Sequence, residues 1–173
     1  MMFSTKSEYG VRVMIELGRR EGQGPVSLAD IAAGEGLPLP YLEHLVARLR
    51  AAELVRSTRG AHGGYELARP AAKITMAQVV NALEGTLVPM ECFTEDGEMR
   101  VLCSHELDGF GNCATRLLWT RVQGGVTRAL EQTKLSELVE FSERGHAQRK
   151  VKSASGRRRA RTASPPQSAP LSA

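Results

Sequence analysis

The stretch LPLPYLEHLVARLRAAELVRSTRGAHGGYELARP, residues 37–70, places a helix and a hairpin end to end. Leu42, Leu45, Val46 and Leu49 recur at i, i+3, i+4 and i+7, the period of one buried helix face. Pro38 and Pro40 fit a helix only in its first turn, where a missing N–H costs nothing, so they fix where it starts. Tyr41, His44 and Arg48 share the face opposite the apolar stripe, flanked by Glu43, Ala47 and Arg50. Residues 54–56 and 65–68 then read as two short strands. Gly60, Gly63 and Gly64 between them give the backbone freedom that a tight connection needs, and Arg56, Arg59 and His62 lie on or beside that loop.

Upstream, SLADIAAGEG (27–36) reads as a short helix with Ser27 as N-cap and Asp30 as a variant capping-box partner. Leu28, Ile31 and Ala32 form its buried stripe, and Gly34 and Gly36 stop it. Two helices joined by a short Gly-containing turn make a helix-turn-helix. Followed at once by a basic hairpin, they make a winged helix. Residues 5–19 form an amphipathic helix with Tyr9, Val13, Met14 and Leu17 inward and Lys6, Arg12 and Glu16 free to face water. Downstream, Thr75 and Gln78 form a capping box that opens the helix MAQVVNALEG. A long helical pattern runs from Ala114 to about Thr133, with Leu118, Val122, Val126 and Ala129 as its stripe and Trp119 and Leu130 beside it. Gly124 and Gly125 within it each cost about 1 kcal/mol against alanine. TKLSELVEF, 133–141, reads as a last short helix.

Charge is distributed unevenly. Residues 1–73 hold ten Lys/Arg against eight Asp/Glu, residues 74–142 five against ten, and residues 143–173 eight against one. The overall +4 therefore belongs mostly to the tail, which is rich in Ser, Ala and Pro and holds only Val151 and Leu171 as large apolar residues. Such a composition predicts a disordered extension. No stretch approaches the roughly 20 apolar residues of a bilayer span, and the N-terminus has no apolar leader. The expectation is a soluble, cytoplasmic protein with reduced thiols. The three cysteines, Cys92, Cys103 and Cys113, fall within one stretch, which in that compartment points to metal binding or redox sensing. No nucleophile–base set or phosphate loop is present, so the chain does not read as an enzyme.

The helix and wing suit duplex DNA. A helix in the major groove presents Tyr41, Glu43, His44 and Arg48 to base edges, where a carboxylate accepts from cytosine and a guanidinium grips guanine. An arginine on the wing, Arg59, suits a narrow minor groove. Arg48, Arg50 and Arg56 are placed for phosphates, which set register without reading sequence.

STKSEYGVRVMIEL, PYLEHLVARLRAAELVRSTRGAHGGYELARP and VVNALEG resemble the Rrf-two family of bacterial winged-helix regulators, from about Phe3 to Phe141. The resemblance implies a mainly α fold: a winged helix-turn-helix domain with a two-stranded β-hairpin wing and a long C-terminal dimerisation helix. It implies a DNA-binding domain at 1–88, a cysteine sensor loop at 89–113, dimerisation helices at 114–142 and the basic tail at 143–173. It also implies a homodimer on a two-fold symmetric operator, with Glu43 as major-groove reader and Arg59 as minor-groove arginine. Pro40 and His44 replace a serine and a glutamine that read bases in the iron–sulfur regulator of the family, so its operator does not transfer. Cluster-binding members hold an iron–sulfur cluster on three cysteines, here Cys92, Cys103 and Cys113, with an acidic residue of the first helix, here Glu8, as a fourth ligand from the other subunit. Two departures stand out: the cysteine spacing is wider than the family's compact loop, and Arg116 stands where the assembly regulator has a histidine. His105, Glu106 and Asp108 are rival ligands. Control by thiol oxidation, by zinc or by a regulatory partner protein, as in cluster-free members, is the alternative.

Overall fold

A computed structural model describes residues 4–60, 62–85 and 114–145. In chain order the elements are α1 (Thr5–Arg19), α2 (Leu28–Glu35), α3 (Leu39–Ala51), β1 (Val55–Thr58), β2 (Gly64–Leu67), a 3-10 turn at Ala71–Lys73, α4 (Met76–Glu84) and α5 (Ala114–Gln132). Residues 135–145 are helical and are called α6. This is the mainly helical winged helix-turn-helix expected from the sequence. The cysteine stretch and the tail beyond residue 145 lie outside the described residues.

Local chemistry sets most of the boundaries. Ser4 caps α1 by accepting from Lys6 N. Thr75 and Gln78 form the expected capping box, Gln78 N donating to Thr75 Oγ1 and Thr75 N to Gln78 Oε1. α2 ends at Gly36, whose φ of 64° and ψ of 37° are left-handed, the conformation glycine takes at least cost. Ser27 departs from its expected role. It sits at the N-cap position of α2 in extended conformation, but its side chain accepts no cap hydrogen bond.

The core is one continuous cluster. Val13, Met14 and Leu17 of α1, Ile31 of α2, and Leu42, Leu45, Val46 and Leu49 of α3 meet Val79 and Leu83 of α4, and Leu135 closes it from α6. The hairpin contributes its inward residues Val55 and Leu67, which face each other in the antiparallel register Val55↔Leu67, Arg56↔Glu66, Ser57↔Tyr65, Thr58↔Gly64. A backbone bridge adds the residue before α2 to this sheet: Val26 N donates to Tyr65 O and Tyr65 N to Val26 O, each at 2.8 Å. Leu135 N donates to Ile74 O, and Met76 N to Thr133 O, tying the approach to α4 to the end of α5.

Two polar features were not visible in the periodicity. Glu16, expected to face water, is 8% exposed and is held by Arg19 at 3.0 Å and Arg20 at 2.8 Å. The second lies where α1 and α4 meet. A side chain at Gly10 would run into Leu83, so glycine there sets the closeness of the two helices. Beside that contact, Ser4 N, Ser4 Oγ and Ser7 Oγ all donate to Oε1 of Glu84, at 3.0, 2.6 and 2.6 Å.

Burial pushes the Glu84 carboxyl up, but the hydrogen bonds from Ser4 and Ser7 and the nearby Lys6 charge outweigh it and hold the pKa at about 2. A depressed folded-state pKa stabilises above the unfolded value, and that stabilisation is lost as pH falls towards the folded one. Glu84→Gln is therefore expected to lower unfolding free energy at pH 7 by about 1–2 kcal/mol after allowance for solvent screening. Urea melts of both proteins should show the gap shrinking between about pH 4.5 and 2.

Candidate nucleic-acid interface

α3 is presented by its neighbours. Its stripe of Leu42, Leu45, Val46 and Leu49 is at most 1% exposed, so the opposite face is turned outward. Glu43, His44, Ala47, Arg48 and Arg50 are exposed on it, with Tyr41 half-buried at its start. Tyr41 meets Tyr9 of α1 edge-on, ring centroids 5.8 Å apart, which pins the N-terminal end of α3. Arg12 lies over the same Tyr9 ring and bridges to the end of α2: its Nε donates to Glu35 Oε2 at 2.8 Å and its second nitrogen to Glu35 O at 2.7 Å. Arg12 and Glu35 thus brace α1 against the helix-turn-helix, a pair that spacing did not reveal.

The exposed side chains differ in what they already hold. Among the described residues, Glu43, His44, Arg50 and Arg59 have no hydrogen-bond or ion-pair partner. Arg56 pairs across the hairpin with Glu66, Nε to Oε1 at 3.0 Å, and remains 63% exposed. Arg48 donates from NH1 to the main-chain oxygen of Leu83 at 2.9 Å. The residues proposed for bases and those proposed for phosphates therefore lie on one surface, α3 plus wing, but two of the arginines on it already have protein partners.

The wing depends on glycine. Gly60 has φ of 117°, accessible at little cost only to glycine, and Gly63 N donates to Gly60 O at 2.9 Å to close the turn. A Cβ on Gly63 would collide with Thr58 O, and one on Gly64 with Val26 O. Arg59 and His62 are thus exposed on a turn whose backbone has no room for side chains at its return. At the base of the hairpin, half-buried Arg69 leaves its Nε without a partner among the described residues, in a hollow shared with Arg20 and Glu21 of the α1–α2 turn.

Glu8, the first-helix ligand expected from the resemblance, is exposed on α1 and lines an apolar groove with Ser4, Ser7, Val11, Arg12, Val80 and Leu130. Cys92, Cys103 and Cys113 lie outside the described residues. Among the described residues no three His, Cys, Asp or Glu side chains are grouped so as to hold a metal ion.

A family model described as "Rrf2: Iron-dependent Transcriptional regulator" matches residues 3–141. The chain belongs to the Rrf2 family. This Rrf2 chain is 39% identical over 143 residues to the HTH-type transcriptional regulator CymR of Bacillus subtilis, covering 83% of this chain and 93% of that one. The solved structure of CymR, described as the global cysteine regulator of B. subtilis, superposes with a TM-score of 0.68 at 37% identity, over 82% of this chain and 98% of that one. The HTH-type transcriptional regulator IscR of Xenorhabdus nematophila is 35% identical over 143 residues, 83% of this chain and 82% of that one. The crystal structure of the oxidized form of Staphylococcus aureus CymR matches with a TM-score of 0.62 at 37% identity, over 81% and 97% of the two chains. The Rrf2 chain is accordingly a DNA-binding transcriptional regulator and not an enzyme. None of its described helices is long and apolar enough to cross a membrane.

Because a backbone oxygen cannot step aside as a side chain can, Gly64→Ala is expected to destabilise the domain by about 1–3 kcal/mol. The change should be read as a lower urea midpoint. Gly34→Ala, where a Cβ meets nothing, is the matched control.

Proposed function

We propose that this Rrf2 regulator binds a two-fold symmetric DNA site as a homodimer and responds to its signal through oxidation of its own thiols. What supports the DNA mode is the pairing state of the surface: Glu43 and His44 on α3 and Arg59 on the wing are exposed and unpartnered over a rigid core. Elsewhere in the domain buried Glu16 is paired with two arginines, and half-buried Arg12 with half-buried Glu35. Glu43 is placed to accept from a cytosine amino group and Arg59 to enter the minor groove. Arg50 and Arg56 supply phosphate contacts.

α5 supports the dimer. Leu117 and Leu118 are 56% and 55% exposed, Trp119, Val122 and Val126 are only half-buried, and none of its described side chains is fully buried. A 19-residue helix with that many apolar groups left in water has an unfilled face, and a second copy of the same helix fills it symmetrically.

For the switch, the donor set supports thiols over a cluster. An iron–sulfur site on Cys92, Cys103 and Cys113 needs further donors to converge with them. Among the described residues Glu8 has no second ligand-type residue beside it in its groove, and the side chains it shares that groove with include the cation Arg12. The wide cysteine spacing and Arg116 in place of a histidine favour thiol chemistry over a cluster, and no step is routed through one. Thiol chemistry needs only two of the three cysteines: each loses a proton, the pair forms a disulfide, and two electrons pass to a peroxide-class oxidant. The likeness to an oxidized CymR is in keeping with that chemistry.

On a duplex selected by the wild-type protein from a random pool, Arg59→Ala should weaken binding about tenfold or more with the melting temperature unchanged. Fluorescence anisotropy and thermal melts would show this. Protein purified without oxygen should be colourless and free of iron and zinc. Peroxide should shift its DNA affinity at least about tenfold, dithiothreitol should reverse the shift, and replacing all three cysteines by serine should abolish it. Stoichiometric iron and sulfide, with absorption between about 320 and 460 nm that fades in Cys113→Ala, would overturn the thiol reading in favour of a cluster. Stoichiometric zinc would overturn it in favour of a metal-held loop.

A further inference from the structure

Arg48 stands on the exposed face of α3 among the side chains proposed to meet DNA, yet its guanidinium is committed elsewhere. NH1 donates to the carbonyl of Leu83, one residue from the end of α4, at 2.9 Å. Carbonyls in the last turn of a helix have no partner within it, and they carry the negative end of the helix dipole. A cationic donor there gains from both effects, and a hydrogen bond to a charged group exceeds a neutral one.

The same turn of α4 holds α1. The Leu83 side chain fills the space that Gly10 leaves open, and the Glu84 carboxylate takes the three donors of Ser4 and Ser7. Leu83 and Glu84 therefore fix the first two turns of α1 with their side chains and the last turn of α3 with a main-chain oxygen. Arg48 is the bond in that junction that reaches α3 from α4.

We propose that Arg48 is a positioning residue: it acts on DNA binding by holding α3 at a set pose against the end of α4, and not by touching phosphate or base. The proposal deepens the DNA-binding mode above and rests on it for the affinity readout alone. A phosphate contact and a positioning bond leave different traces. Removing a phosphate contact lowers the slope of log affinity against log salt by about one and leaves the free protein unchanged. Removing a positioning bond leaves the slope in place, because no counterion-releasing contact is lost. It loosens α3 before any DNA is present.

The test uses Arg48→Gln and Arg48→Met in the full chain, compared with wild type and with Arg50→Gln, which removes an exposed arginine that has no partner. Circular dichroism confirms that each is folded under the conditions used. Amide hydrogen exchange of residues 39–51 in the DNA-free protein should speed up several-fold in both Arg48 variants and stay at the wild-type rate in Arg50→Gln. On the selected duplex, both Arg48 variants should bind about tenfold more weakly with the wild-type salt slope. Wild-type exchange rates together with a slope reduced by about one would overturn the proposal and make Arg48 an ordinary phosphate contact. If the wild-type protein selects no duplex, the DNA-binding mode above fails, while the exchange rates still decide whether Arg48 holds α3.

Discussion

The closeness of α1 and α4 at Gly10 and Leu83 is the constraint on which the rest of the domain depends. With no Cβ at position 10, the Leu83 side chain packs directly on the α1 backbone, and only at that separation can Ser4 and Ser7 both reach Glu84. The apolar contact and the polar cluster are mutually dependent: packing brings the hydroxyls into range, and the hydroxyls satisfy a carboxylate that burial alone would penalise. From there the order passes outward. α1 carries Tyr9 to Tyr41 and Arg12 to Glu35, fixing both helices of the helix-turn-helix from one side. α4 offers Leu83 O to Arg48 from the other. A helix that must meet a rigid duplex is thereby oriented at its start and in its last turn.

The wing is built on a different principle. It has little core of its own, Val55 and Leu67 buried and Tyr65 partly so, and takes its shape from main-chain hydrogen bonds and from side chains that are absent. The bridge of Val26 to Tyr65 makes the segment before α2 a third, minimal strand, so the hairpin is tied to the helix-turn-helix by backbone as well as by burial. Gly63 and Gly64 are needed because carbonyl oxygens occupy the positions their side chains would take. Arg59 is thus exposed just past β1, beside a return that leaves no room for side chains at Gly63 and Gly64.

What the sequence disclosed and what it hid follow from range. Every described helix was legible, because i, i+3, i+4 periodicity, first-turn prolines and the Thr75–Gln78 box are written within a few neighbours. The family, and with it DNA binding, was legible in the same way from the α3–wing stretch. The bonds that orient these helices were not. Ser4 and Glu84 are separated by 80 positions, Arg48 and Leu83 by 35, and Arg12 and Glu35 by 23, and no local pattern marks such pairs. Glu16 looked like a solvent residue because a carboxylate on an amphipathic helix usually is one, although its two arginine partners stand at i+3 and i+4, where side chains of one helix face meet. Arg48 holds a partner that its spacing did not show. It is on the outward face, as its spacing says, but its length lets it fold back to another helix. The cysteines carry a clear compositional signal, and their geometry lies outside the described residues.

The cluster of Ser4, Ser7 and Glu84 also orders events during synthesis. Chains emerge from the N-terminus, and contacts distant in sequence must wait for the later partner to appear. α1 is made first, but both things it docks on near its start, the Leu83 side chain and the Glu84 carboxylate, are made only when α4 has been reached. Until then Tyr9, Val13 and Met14 have only part of their final surroundings. The nascent helix-turn-helix can make its Arg12–Glu35 brace early, but it lacks its contact with α4 at Arg48 until the chain has passed the whole wing, and the DNA-reading surface is completed only then.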